Sequence, residues 1–239
     1  MSNPMEQFTI KPIIPIEVGG VDISFTNSSL FMVLAVVVST LVFGLCLRKR
    51  TIVPSVAQSV PETVYEFVAS LLKENVGVEG LKYFSFIFTV FLFVAFGNLL
   101  GLFPYAFTFT SHLAAVGGLS VIALLFNICI GIRKKKWGYL RTFLPKGIPA
   151  ALAPLIVPIE MISFLSKPFS LTVRLVANMT VGHIMLKIIA GFIVALGIGI
   201  VPLAFDGCII VFEIFIALLQ AFIYTVLSCI YLGDALHSH

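Results

Sequence analysis

Four stretches of this sequence stay apolar for the ~20 residues that a helix needs to cross about 30 Å of hydrocarbon. They are 30–47, 84–103, 113–132 and 207–232. The charge count agrees with them. Of 239 residues, 59% are hydrophobic and 11% are charged, whereas an ordinary soluble domain is about 45–50% apolar and about 25% charged. Too few charged side chains remain to cover a water-facing surface, so a soluble globular enzyme is excluded. Disorder is excluded as well, because disordered chains are poor in apolar residues. The expected class is an all-α polytopic membrane protein, one membrane domain over 1–239.

Between the third and last runs lies a stretch, 149–200, that breaks the simple pattern. As a single helix it would be roughly 75 Å long at 1.5 Å per residue, far more than an upright span needs. It carries Glu160, Lys167, Arg174, Asn178, His183 and Lys187, which lipid would not tolerate. It therefore either tilts steeply or breaks near Pro168, and its polar side faces protein or water. With it the chain has five membrane-crossing segments.

Basic residues set the orientation. One, Lys11, precedes the first span, in the segment 1–29. The next connection holds Arg48, Lys49, Arg50, Lys73 and Lys82, and the connection 104–112 holds none. Arg133, Lys134, Lys135, Lys136, Arg141 and Lys146 follow, and the final connection near 202–205 again has none. This alternation puts the N-terminus outside and the C-terminus on the cytoplasmic or matrix side. One inner connection is itself structured. Ser59-Val-Pro-Glu62 reads as a capping box. Beyond it Val60, Val64, Phe67, Val68 and Leu71 repeat at helical spacing against Glu62, Glu66, Ser70, Lys73 and Glu74. Residues 60–74 are thus predicted to form an amphipathic helix in the inner membrane interface.

Other features narrow the chemistry. Cys46, Cys129, Cys208 and Cys229 stand singly in apolar runs with no metal-binding spacing, and read as small buried hydrophobes. The N-terminus lacks a signal-peptide pattern. No G-x-x-x-x-G-K-[ST] occurs, so the chain is not expected to bind nucleotide. No metal, cofactor or nucleic acid is expected either.

The informative residues are the ionisable ones within the membrane, whose default reading is functional because each costs several kcal/mol there. On a helix, Lys167, Glu160 and Asn178 fall within about 40° of Arg174, with Glu160 about 21 Å toward the inner side. His183 falls about 180° from Arg174. On the last span, Gln220 and Tyr224 lie within about 20° of Glu213. Two polar patches result, an inner one reaching Glu160 and an outer one of His183 with Glu213, Gln220 and Tyr224. Arg174 stands between them. A guanidinium keeps its proton, so it cannot relay one and separates two half-paths. It also favours the ionised form of any carboxylate that passes it.

The run Ser166-Lys-Pro-Phe-Ser-Leu-Thr-Val-Arg174-Leu-Val-Ala-Asn178-Met-Thr-Val-Gly182-His183 resembles the signature of subunit a of F-type ATP synthases. So do Ile214–Leu227, with Gln220 and Tyr224, and Phe96-Gly-Asn98-Leu-Leu-Gly-Leu-Phe-Pro104-Tyr. The resemblance spans essentially the whole chain. It is to the alphaproteobacterial or mitochondrial branch, where histidine stands nine residues after the arginine and the last span carries glutamate. It implies that Arg174 is the stator arginine facing a ring of c subunits. Asn178 and Gln220 would neighbour it. His183 and Glu213, with Gln220, Tyr224 and Asn178 beside them, would line the outer proton path, and Glu160 the inner one. It further implies a tilted hairpin of the last two helices and partners that include the c-ring, peripheral-stalk b subunits, other ATP synthase membrane subunits and lipid. The membrane would be a bacterial or mitochondrial inner membrane, and nucleotide catalysis would lie in other subunits. A rival class is a self-contained secondary transporter or ion channel in which Arg174 binds an anionic solute. The lack of an internal repeat and the outer–inner division of polar residues count against it.

Overall fold

A computed structural model describes residues 9–18, 21–22, 24–48, 51, 53–103, 106–136, 152–196 and 200–236. The sequence readings at residues 1–7, Lys49, Arg50, Pro104, Tyr105, Arg141, Lys146 and Pro149 lie outside them. Helices dominate: α1 (Asn27–Cys46), α2 (Val56–Val76), α3 (Phe84–Gly101), α4 (Leu113–Lys135), α5 (Ala153–Leu196) and α6 (Ile200–Leu236). Short 3-10 turns at Val78–Tyr83 and Phe109–Ser111 lead into α3 and α4. All of these helices except α2 are long and apolar enough to cross a membrane.

The sequence reading did not foresee strands ahead of α1. Pro12–Ile14 (β1) pairs antiparallel with Phe25–Thr26 (β4), and Glu17–Val18 (β2) pairs with Val21–Asp22 (β3). Asn27 ties this hairpin to the start of α1. Its backbone N–H donates to the Lys11 carbonyl at 3.1 Å, and its amide donates to the Thr9 carbonyl.

The expected helix between the first two spans is present as α2, but it starts earlier than 60. The N-cap is Ser55, whose hydroxyl accepts from the Gln58 N–H, rather than Ser59, which lies inside the helix. Glu62 accepts instead from the Gln58 side chain at 2.7 Å, and the Ser59 hydroxyl donates back to the Ser55 carbonyl. Two serines four residues apart offer equivalent local caps, and the longer helix wins because it gains a further turn of hydrogen bonds. Gly77 ends it at φ 83°, where a side chain would be strained, and its N–H donates to the Lys73 carbonyl. The buried side chains are Gln58, Pro61, Val68, Leu72 and Val76, whereas Val60 and Phe67 are exposed. Phe67, although partly exposed, also packs its ring against Phe91 and Phe222.

The chain forms two compact units. The first comprises Met1–Leu45, Leu92–Val116 and Arg174–Ala221. Its core is Ala35, Phe107 and Phe109, with Phe31, Phe93 and Phe96 packed around them. Gly97 makes this packing possible, since a Cβ there would collide with the Phe109 ring. The second unit comprises Cys46–Phe91, Gly117–Val173 and Phe222–His239. Val68, Leu72, Ile87 and Leu232 are fully buried in it, and Phe86 stacks on Phe126 at 3.6 Å between ring centroids. Outside the hydrocarbon-length runs, Lys134 of α4 pairs with Glu79 at 2.5 Å.

The break expected as one option near Pro168 does not occur. Helix α5 runs unbroken for 44 residues through both Pro158 and Pro168. The second unit shows what accommodates Pro168. A proline at 168 has no N–H to give the Phe164 carbonyl. That carbonyl accepts instead from the Tyr231 hydroxyl of α6 at 2.8 Å, a neighbouring helix supplying what the proline withholds. The Pro168 carbonyl accepts from Thr172 at 2.8 Å, Thr172 is 2.8 Å from Ser120 of α4, and Tyr224 donates to Ser120 at 3.3 Å. Because each hydroxyl has one hydrogen, the chain runs in one direction, from Tyr224 through Ser120 and Thr172 to the helix backbone.

The cysteines require a correction. Cys229 is buried and Cys46 half-buried, but Cys129 and Cys208 are exposed. Apolar neighbours in sequence mark burial only where the surroundings are water. Here the outward faces of α4 and α6 are themselves apolar.

Replacing Tyr231 with Phe is expected to cost about 1–2 kcal/mol, the penalty for leaving a buried carbonyl without its donor. Thermal unfolding of the detergent-solubilised protein would measure it. In a Pro168→Ala background the same change should cost clearly less, because an alanine at that position restores the N–H to the Phe164 carbonyl. Equal losses in the two backgrounds would contradict the compensation.

Candidate functional site

Buried polar side chains of the first unit include Asn98 of α3, Thr108 of the following connection, and Glu213 and Gln220 of α6. Glu213 is 8% exposed and Gln220 3% exposed, both on the inward face of α6. Tyr224, 2% exposed, continues that face in the second unit. The shared face expected for Glu213, Gln220 and Tyr224 is therefore a buried one. Asn98 of α3 is fully buried and its amide donates to the Ala217 carbonyl of α6 at 3.1 Å. This holds α3 against the helical turn between Glu213 and Gln220.

Glycine at 182 admits Glu213. A Cβ at that position would occupy the place of Glu213 Oε1 and lie 2.9 Å from its Cδ. The carboxyl group thus lies directly against the backbone of α5, one residue before His183. His183 is half-buried, and its Nε2 is 2.8 Å from the Thr108 hydroxyl in the connection between α3 and α4. Thr108 is itself buried at 3% exposure. The structure therefore brings His183 to the α3–α4 connection and Glu213 to Gly182, on adjacent residues of α5.

Arg174 lies at the midpoint of α5 and is exposed. Leu171, Leu175 and Met179 turn into the protein, while Phe169, Val173 and Val181 are exposed like the arginine. Among the described residues Arg174 makes no ion pair. Asn178 and Glu160 are half-buried, and Lys167 and Lys187 are exposed. At about 100° per residue, the positions 160, 167, 174 and 178 share one side of the unbroken α5.

A second feature of the first unit was not legible in the sequence. Several buried polar atoms make no hydrogen bond among the described residues. They are Asn98 Oδ1, Thr110 Oγ1, His112 Nε2, Asp206 Oδ1, both carboxylate oxygens of Glu213 and Gln220 Oε1. In the second unit the only such atom among the described residues is Asn127 Oδ1. Buried polar atoms in native proteins nearly always have a partner in protein or ordered water. Asn98, Thr108, Thr110, His112 and Asp206 were given no role from sequence. The polar run Thr108-Phe-Thr110-Ser111-His112, in the one inter-span connection with no basic residue before the last, was the signal available.

No group of three or more His, Cys, Asp or Glu side chains that could hold a metal ion occurs among the described residues.

Comparison with known proteins gives one family. The family model described as ATP synthase A chain matches residues 29–233. The chain is 52% identical over 241 residues to ATP synthase subunit a of Rhodospirillum rubrum, covering all of both chains. It is 52% identical over 247 residues to that of Paramagnetospirillum magneticum, again over the whole of both. With that of Chelativorans it shares 47% over 244 residues, covering 99% of this chain and 98% of the relative.

Two outcomes follow from the geometry. Gly182→Ala is expected to destabilise by about 1–3 kcal/mol through overpacking. Adding Glu213→Ala should recover most of that loss, because it removes the colliding carboxyl group; strict additivity in denaturation experiments would contradict the contact. Outside the spans, burial lowers the pKa of His112, whose ring stacks on Phe107 at 5.0 Å. The unfolded chain takes up that proton below about pH 6.5 while the folded chain resists it. Stability should therefore fall as pH drops through that range and level off below the lowered folded value. The decrease between about pH 7.5 and 5.5 should be smaller in His112→Gln.

Proposed function

The chain belongs to the ATP synthase A chain family, and from that premise we propose that it is the proton-conducting stator subunit of the F-type ATP synthase membrane sector. It is an integral membrane subunit of that complex, and we read its termini as outside (N) and cytoplasmic or matrix (C) from the basic residues. It offers two offset half-channels that load and unload protons on the carboxylates of a c-subunit ring.

The single observation that carries this reading is Arg174. A guanidinium halfway along a 44-residue apolar helix, exposed and without an ion pair among the described residues, is too costly to leave facing lipid. It calls for a carboxylate on a partner. A ring of c subunits supplies one after another, and the exposed apolar side chains Phe169, Val173 and Val181 suit a sliding contact better than a fixed polar one.

Protons enter from the outer side past Glu213 and His183, where buried polar atoms such as those of Gln220 and Asn98 suit a hydrated path. They neutralise a c-subunit carboxylate, which can then rotate into lipid. When the ring returns that carboxylate to Arg174, the fixed positive charge favours its ionised form. The proton leaves toward Glu160 on the inner side. Arg174 cannot itself pass a proton, so the two paths stay separate and the gradient, about 2.3 kcal/mol per charge per 100 mV, drives rotation. Helices of roughly 66 and 55 Å, α5 and α6 exceed an upright crossing and are proposed to lie tilted as a hairpin beside the ring. Helix α2 is proposed to lie in the inner interface, its exposed Val60 facing acyl chains. Peripheral-stalk b subunits and lipid cover other faces.

Membranes carrying Arg174→Ala, with the complex assembled at the normal level, are expected to lose gradient-driven ATP synthesis down to background. Synthesis at the normal rate would refute the assignment.

A further inference from the structure

We propose that Thr108 is the positioning residue of His183, fixing which of its two ring nitrogens carries the hydrogen, and that Gly101 is glycine to let Thr108 reach that place. The proposal rests on the reading of His183 as part of the outer proton path. It starts from the end of α3. Gly101 is the last residue of that helix, and the last four carbonyls of a helix have no partner within it. Its carbonyl accepts from the Thr108 hydroxyl at 3.2 Å.

A threonine hydroxyl has one hydrogen and two acceptor positions. Its neighbours here are the Gly101 carbonyl, which can only accept, and His183 Nε2 at 2.8 Å. With its one hydrogen directed at Gly101, Thr108 can only accept from the imidazole. His183 therefore carries its hydrogen on Nε2. In the neutral ring Nδ1 is then the nitrogen with the lone pair. The ring could not exchange these roles without breaking one of the two bonds.

The position of Thr108 is itself over-determined. A Cβ on Gly101 would lie 2.7 Å from Thr108 Cγ2 and 2.9 Å from its Oγ1, so any larger residue would push the hydroxyl away. On the other side, the Thr108 carbonyl accepts from both the Ser111 hydroxyl at 2.6 Å and the Ser111 N–H at 3.1 Å. The intervening Phe109 is 3% exposed and seated against Gly97. Two glycines one helical turn apart on α3 thus seat a buried turn, and that turn presents one hydroxyl to His183. Partners that orient a functional histidine through its other nitrogen matter, by analogy with metal sites, at the level of about 10–100-fold.

The test uses the intact ATP synthase complex in membrane vesicles, with gradient-driven ATP synthesis measured per assembled complex. Thr108→Val keeps the shape without the hydroxyl and is expected to lower the rate about tenfold. Thr108→Ser should return it close to wild type, and Gly101→Ala should behave like Thr108→Val. In parallel, 15N spectra of the histidine-labelled wild-type complex, with His183 assigned by its loss in His183→Ala, should show the Nε2–H form. Normal synthesis in Thr108→Val, no rescue by Thr108→Ser, or an Nδ1–H signal for His183 would each overturn the proposal. Should Thr108→Val fail to assemble, the wild-type spectrum still decides. Failure of the underlying reading has a separate signature, normal synthesis in His183→Ala itself.

Discussion

A polar group in hydrocarbon must find a partner, and much of this structure follows from how each one does so. The clearest case is Pro168. A proline in the middle of a long helix withholds one N–H, and in water the exposed carbonyl would simply hydrate. Here the Tyr231 hydroxyl of α6 reaches the Phe164 carbonyl at 2.8 Å, and Thr172, Ser120 and Tyr224 form a directed hydrogen-bond chain on the next turn. The same requirement explains Asn98, whose amide crosses from α3 to the backbone of α6. Such bonds fix how these helices pack where apolar side chains alone would allow sliding.

Against that background the unmet groups gain meaning. Glu213 has both carboxylate oxygens buried without a hydrogen bond among the described residues, and Gln220 and Asn98 each retain an unused oxygen. All belong to the first unit, with His183 and Thr108. In the second unit the buried hydroxyls of Ser120, Thr172 and Tyr224 are joined to one another and to backbone. Arg174 differs again, because its charge is exposed rather than buried. The proposed division into a hydrated entry, an arginine that only a partner can satisfy, and a separate exit has its physical basis in these three ways of leaving a polar group open.

The long apolar runs made the helices legible, because hydrocarbon leaves a segment of ~20 apolar residues few alternatives. The continuity of α5 through Pro168 keeps the helical periodicity on which the stripe through Arg174 is argued. What could not be read were features decided by competition or by contact at a distance. Ser55 and Ser59 are equally good caps locally, and only the full length of α2 selects the first. Cys129 and Cys208 look buried because apolar neighbours imply burial in water, yet the outward face of this chain is apolar. Gly182 was visible as part of a motif, but its reason, the Glu213 carboxyl group against its backbone, depends on α6. Thr108 lies 75 residues from His183, and no local pattern joins them.

The central claim is that the polar residues form two paths open to opposite sides of the membrane. Its most direct measurement is side-specific thiol accessibility in sealed, oriented vesicles of the intact complex. Single cysteines would replace Gln220 and Glu160 in a background lacking the four native ones, and a small membrane-impermeant thiol reagent would be applied from each side. The expected result is reaction at 220 from the outer side and at 160 from the inner side. Reaction of both positions from the same side would contradict the claim.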